Sequence, residues 1–187
     1  SKQTPTRLDH GIQIYDKNNI QSHPKLVDNL WQLGNIYREL GKNAAAMDVF
    51  KRQLSILDLK KGLADADKAV LLNHIGYTYQ KLGDNEKAEI IYKRAITLQE
   101  KSYGQNHPEV TANLNNLAAV YTGLGKLPDA INLYRRVLEI LEKNFGRDNL
   151  ELATPLNNLA EAYMKMGSAG DAEILFKQSL DIVQKHF

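Results

Sequence analysis

The hydrophobic positions of this chain recur with a helical spacing at short range and a fixed interval at long range. Leu30, Leu33, Gly34 and Tyr37 set a pattern that Leu72, Ile75, Gly76 and Tyr79 repeat 42 residues later. Leu114, Leu117, Ala118 and Tyr121, then Leu156, Leu159, Ala160 and Tyr163, follow at the same interval. Apolar residues so spaced form one stripe along an α-helix. A second stripe comes after each: Ala46, Ala88, Ala130 and Ala172, followed four residues on by Phe50, Tyr92, Tyr134 and Phe176, and then by Leu54, Ile96, Leu138 and Leu180. Gly41, Gly83, Gly125 and Gly167 separate the two stripes. A glycine just past a helix end supplies the left-handed backbone that closes it. Gly62, Gly104 and Gly146 end the second helices, and Pro24 and Pro108 open the next first helices. Pro128 fits the first turn of a second helix, where its missing N–H has no partner to lose. Pro155 falls inside a predicted first helix, so that helix must either start late or kink.

The pattern predicts an all-α chain of antiparallel helix pairs. Pairs of fixed length that cannot bury their own stripes must stack into a solenoid. The expected units are residues 22–62, 64–104, 106–146 and 148–187. Residues 1–21 carry Leu8, Ile12, Ile14 and Tyr15 and read as the second helix of a truncated leading repeat, with a frayed arm as the alternative. Starting without Met and stopping at the end of a helix pattern, the chain reads as a segment of something longer. The small residues Gly34, Gly76, Ala118 and Ala160 sit within the first stripe. A glycine inside a helix costs about 1 kcal/mol relative to alanine, so its recurrence there predicts a neighbouring helix at close range.

Leu-x-x-Leu-Gly-x-x-Tyr followed by Ala-x-x-x-Phe/Tyr resembles the tetratricopeptide repeat. Leu30, Leu72, Leu114 and Leu156 stand in that family's usual Trp slot, and Asp58, Glu100, Glu142 and Gln184 in its terminal Pro slot. The interval of 42 residues adds roughly one turn to each helix of the usual ~34-residue repeat. Asn106-His107-Pro108-Glu109-Val110, then Leu114-Asn115-Asn116-Leu117-Ala118 and Tyr134-Arg135-Arg136-Val137-Leu138, is similar to the repeats of kinesin light chains and their relatives. Trp31-Gln32 and Asn73-His74 depart from that pattern, which has Asn-Asn there.

The resemblance implies a right-handed superhelical solenoid whose first helices line a concave groove. It also implies a non-catalytic role in binding a peptide or protein segment, as in cargo-adaptor repeats. The groove positions it assigns are Trp31, Asn35, Arg38 and Glu39; Asn73, Tyr77, Gln80 and Lys81; Asn115, Ala119, Thr122 and Gly123; and Asn157, Glu161, Met164 and Lys165. The candidate ligand contacts are Trp31, Asn35, Arg38, Asn73, Tyr77, Gln80, Lys81, Asn115, Asn116, Asn157 and Lys165. An Asn side chain both donates and accepts, so one Asn per repeat can pair with a peptide backbone of any sequence. The alternative is that these Asn residues tie neighbouring helices together. Trp31 and Tyr77 are candidate aromatic anchors, the alternative for Trp31 being that it covers the end of the array against the leading residues. Arg38, Lys81 and Lys165 against Glu39 and Glu161 allow a ligand with a few carboxylates. The pairs Lys51-Arg52, Lys93-Arg94 and Arg135-Arg136 on second helices read as a solvated face, the alternative being that they line a ligand path.

Composition narrows the functions further. The 24 basic and 22 acidic residues are spread along the chain, for a net charge of +2, which disfavours nucleic acid or a membrane surface as partner. The absence of cysteine excludes disulfides, thiolate zinc sites and cysteine nucleophiles. No apolar run approaches the ~20 residues that span a bilayer, and a cytoplasmic setting is expected. No phosphate-cradling loop or nucleophile motif is present. His10, His23, His74, His107 and His186 share no helix face at metal-ligand spacing. Neither catalysis nor a cofactor is expected. A second reading is a scaffold that self-associates as a homo-oligomer through its ends or convex face, with Ile174, Leu175 and Ile182 as an uncapped edge. A carboxylate-clamp adaptor would need a fuller basic set than Thr122-Gly123 leaves in the third unit.

Overall fold

Helix capping sets the order of elements. The computed structural model describes residues 8, 10, 12–14, 24–59 and 65–186. Among these are the helices α1 (Pro24–Glu39), α2 (Asn43–Leu59), α3 (Asp65–Lys81), α4 (Asn85–Tyr103), α5 (Thr111–Gly123), α6 (Leu127–Phe145), α7 (Ala153–Met166) and α8 (Ala169–His186). Short 3-10 turns, Pro108–Val110 and Leu150–Leu152, precede α5 and α7. Gly125 shows how a first helix ends. Its φ of +74° is open to glycine at little cost, and Lys126 N–H then reaches the Tyr121 carbonyl at 2.9 Å. The carbonyls of Tyr37, Tyr79 and Tyr163 accept the corresponding N–H of Lys42, Asp84 and Ser168. The tyrosine of the repeat therefore marks the last turn as well as the stripe.

Packing divides the chain into two compact units, Ser1–Ile91 and Tyr92–Phe187, with the division inside α4. In the first, α2 packs on both α1 and α3. Leu8 and Ile12, both helical, are buried with Leu26, Leu30, Leu33 and Ile56, while Ile14 is exposed. The leading residue Tyr15 and the predicted stop at Gly62 lie outside the described residues. A second cluster gathers Ala46, Met47, Phe50, Leu57, Leu71 and Ile75. In the second unit α6 packs on α5 and α7, and α7 packs on α8.

The close approach predicted at the small residues is present at Gly34. A Cβ there would lie 2.8 Å from Cδ1 and Cζ of the Phe50 ring and nearer still to Cε1. Gly76, Ala118 and Ala160 are buried as well.

Two proline expectations resolve. Pro108 opens a 3-10 turn instead of α5 itself, and the His107 ring accepts the Glu109 N–H to cap that turn. Pro155 is the third residue of α7, which starts late at Ala153, so its missing N–H lies in the first turn, where none is needed. The stripe of α8 departs from its equivalents. Phe176 and Leu180 are 40% and 54% exposed, where Tyr134 and Leu138 are 2% and 8%. No described helix follows α8 to cover them. Of the expected apolar edge, Ile174 is exposed but Ile182 is buried against its own pair.

Candidate functional site

In the first unit, three residues one turn apart on α3 meet the end of α1. Asn73, Tyr77 and Lys81 fall at i, i+4 and i+8 and so share a helix face. With Arg38, Glu39, Gly41 and Asn43 they line an open cleft of about 510 Å³. Four of the predicted contacts, Arg38, Asn73, Tyr77 and Lys81, thus come together in one place.

Tyr77 is the floor of the cleft's charge pattern. The Arg38 guanidinium carbon lies 5.6 Å from its ring centroid and Lys81 Nζ lies 5.1 Å from it. The negative face of an aromatic ring attracts such cations, which offsets part of their mutual repulsion. Arg38 is held from the other side by His74, with Nη1 at 2.5 Å from the ring Nδ1. Arginine can only donate, so Nδ1 must be the acceptor and the imidazole must be neutral. Burial, and then the charge of Arg38, bring the His74 pKa from 6.5 down to about 4. The ring stands edge-on to Trp31 at 4.4 Å between centroids and 5.9 Å from Phe50. The tyrosyl ring and the Lys81 side chain remain accessible to a ligand.

The other candidates fall elsewhere. Trp31 is half-buried against Phe50 and His74, linking α1, α2 and α3, and does not line the cleft. Asn35 donates to the Trp31 carbonyl at 3.0 Å within its own helix, and its buried Oδ1 has no partner among the described residues. Gln80 is half-buried on α3. Asn73 belongs to the first unit, and Asn115, Asn116, Asn157 and Lys165 to the second. There Asn115 accepts from Asn158 at 3.1 Å, so this rung does tie α5 to α7. It also borders a smaller cleft of about 270 Å³ with Thr154 and Pro155. Asn116 is half-buried, and Asn157 and Lys165 are exposed.

The basic pairs on second helices are not simply solvated. Lys51 lies over the Tyr79 ring at 5.5 Å, Lys93 over Tyr121 at 5.8 Å, and Arg135 over Tyr163 at 5.9 Å with a hydrogen bond to its hydroxyl. Each pair therefore places its first cation on the tyrosine 28 residues ahead. Arg136 pairs with Glu100 at 2.6 Å and donates to the Gln105 carbonyl at 2.7 Å. Sequence reasoning missed this ladder and also missed His74 and Asn43. Signals for two of these existed, in the constant 28-residue offset and in a histidine beside the groove position Asn73.

The family model described as tetratricopeptide repeat matches residues 67–143 and, overlapping, 109–185; a second model of the same description matches 27–56. The chain belongs to the tetratricopeptide repeat family. A crystal structure of the Podosopora anserina putative kinesin light chain with nearly identical repeats superposes with a TM-score of 0.84 at 21% identity. It covers 97% of this chain and 86% of that one. BtubC (BKLC) from P. vanneervenii gives 0.80 at 19% identity, over 97% and 71%. MamA gives 0.67 at 21%, over 97% and 91%. At such identities the likeness establishes the fold, an all-α tetratricopeptide solenoid. None of the curated proteins compared with it matches in sequence. A fold of this family is a scaffold for protein interaction, and no described helix is long and apolar enough to cross a membrane.

Proposed function

We propose that this chain is a non-catalytic interaction module and that the cleft of its first unit takes an acidic segment of a partner protein. The observation that carries this is the convergence of Arg38, Lys81, Asn73 and Asn43 around the accessible Tyr77 ring. Two cations at one aromatic ring offer a site for carboxylates, and an asparagine beside them pairs with backbone amides. Glu39 on the cleft wall selects against a uniformly anionic ligand and favours one with a basic or neutral residue beside its acids. The four expected repeats supply the frame for this site, and Asn115, Asn116, Asn157 and Lys165 extend the proposed contacts in the second unit.

Calorimetry with a synthetic glutamate-rich peptide that carries neutral residues between its acids, and a lysine-rich control, tests the proposal. Arg38→Gln combined with Lys81→Gln should weaken the acidic peptide about tenfold, the loss of roughly two modest ion pairs, with the helical circular dichroism unchanged. Equal binding of both peptides, or indifference to the double substitution, overturns it.

A second reading rests on the bare face of α8. Phe176 and Leu180 are exposed where their repeat equivalents are covered, which favours self-association through that face. Light scattering over a concentration series decides it: Phe176→Glu should abolish any concentration-dependent dimer, and a strict monomer at high concentration removes the reading.

A further inference from the structure

The arginine of the cleft has contacts on a second element. Arg38 reaches from the last turn of α1 to His74 on α3, while its guanidinium also lies over Tyr77. His74 is itself packed edge-on to Trp31 and beside Phe50, so two aromatic neighbours bound the ring that carries the acceptor. We propose that His74 is the positioning residue of the cleft: its neutral ring holds the Arg38 guanidinium ready for a carboxylate, and protonating the ring releases it. The consequence for affinity rests on the carboxylate-binding reading above; the coupling between the two side chains does not.

The physical basis is one lone pair. Neutral Nδ1 accepts an Arg38 N–H, whereas imidazolium has only donors and carries a like charge. A guanidinium has five N–H donors, so the contact with His74 leaves the others for a ligand. Holding a long side chain in its bound orientation before the ligand arrives removes an ordering cost at binding. The charged group whose field reaches the ring is Arg38 on α1. Glu39 on α1 and Tyr77 and Lys81 on α3 share the cleft, and α2 presents the Phe50 ring. Glu39 is the carboxylate that shares the cleft with Arg38, so the non-titrating His74→Gln variant separates the loss of Nδ1 from any change at Glu39.

The test uses the 187-residue chain with 15N-labelled arginine and histidine. His74→Phe keeps an aromatic ring against Trp31 and Phe50 but removes the acceptor; His74→Gln keeps a neutral acceptor that does not titrate. An Arg38 Nη–H signal should be sharp and exchange-protected near neutral pH in the native chain and in His74→Gln, and lost in His74→Phe. On acidification the native signal should disappear with the midpoint of His74 ring protonation, while His74→Gln retains it. The glutamate-rich peptide, measured at neutral pH, should bind His74→Phe about three- to tenfold more weakly, the cost of ordering one long side chain, and His74→Gln with native affinity. An Arg38 signal indifferent to both the substitution and the titration overturns the inference, as does unchanged peptide affinity in His74→Phe. If no form binds the peptide while Arg38 behaves as described, the carboxylate reading of the cleft falls and the His74–Arg38 coupling stands.

Discussion

Replacing Gly34 with alanine sets two known effects against each other at one atom. In the interior of an exposed helix the change should stabilise by about 1 kcal/mol, because glycine is the poorer helix former. At this site the new Cβ would meet the Phe50 ring at 2.8 Å from two of its carbons and nearer still to a third. The ring has nowhere to go. Phe50 is fully buried, with Trp31 6.1 Å and His74 5.9 Å away between centroids. Overpacking of this kind costs about 1–3 kcal/mol, so the net effect should be a loss of about 1 kcal/mol. With an m value near ~2 kcal/mol/M, that lowers the urea midpoint by about 0.5 M. Trp31 is the chain's single tryptophan and lies beside the altered contact, so its fluorescence reports on the first unit. In a Phe50→Leu background the ring atoms are gone, and Gly34→Ala should raise the midpoint by about the same amount. The two backgrounds should therefore differ by about 2 kcal/mol, well beyond the additivity of independent sites. A rise in midpoint in the native background, or equal shifts in both, would refute the claim that glycine is there to admit the ring.

Two further outcomes follow from other parts of the molecule. His74 has a folded pKa of about 4 against 6.5 when unfolded, so the unfolded chain takes up the proton first as pH falls. Its contribution is then fully present above pH 6.5 and is lost progressively towards pH 4, by at most about 3 kcal/mol and nearer 2 for a partly solvated ring; urea midpoints across that range should fall less steeply in His74→Gln, and parallel slopes would contradict the assignment. Gly125→Ala should destabilise the chain by about 1 kcal/mol because φ there is +74°, whereas Gly170→Ala, inside α8 with open space around it, should be neutral or stabilising. Thermal melts of the pair that shift in the same direction would show that backbone sign is not what distinguishes them.

The candidate site was legible in part. The spacing that puts Asn73, Tyr77 and Lys81 on one helix face is a property of sequence, and so is the placement of Arg38 one repeat earlier. His74 was not legible as a partner of Arg38, since a histidine on a helix reveals neither its tautomer nor its neighbour 36 residues away. Asn113 is a similar case. It reads as an ordinary polar helix residue, but it is buried and donates to Gln99 at 2.8 Å. Asn115 carried two open readings, and its contact with Asn158 supplies the structural one without excluding a ligand at the cleft it borders.

What the sequence determined by itself was set by local geometry: the glycines that close the first helices, the fixed interval, and which side chains fall on one face. These depend on 3.6 residues per turn and on the conformational range of glycine and proline, and both can be read one residue at a time. Tertiary structure alone decided where cations and polar atoms find partners. The first cation of each basic pair met a tyrosine of the following helix, Trp31 packed between α1, α2 and α3 while bordering a cleft of about 320 Å³, and Phe176 and Leu180 stayed bare. Burial and charge pairing depend on atoms distant in sequence but only a few ångströms away in space; the repeat offers a constant offset of 28 residues between the cations and the tyrosines, but not whether they meet.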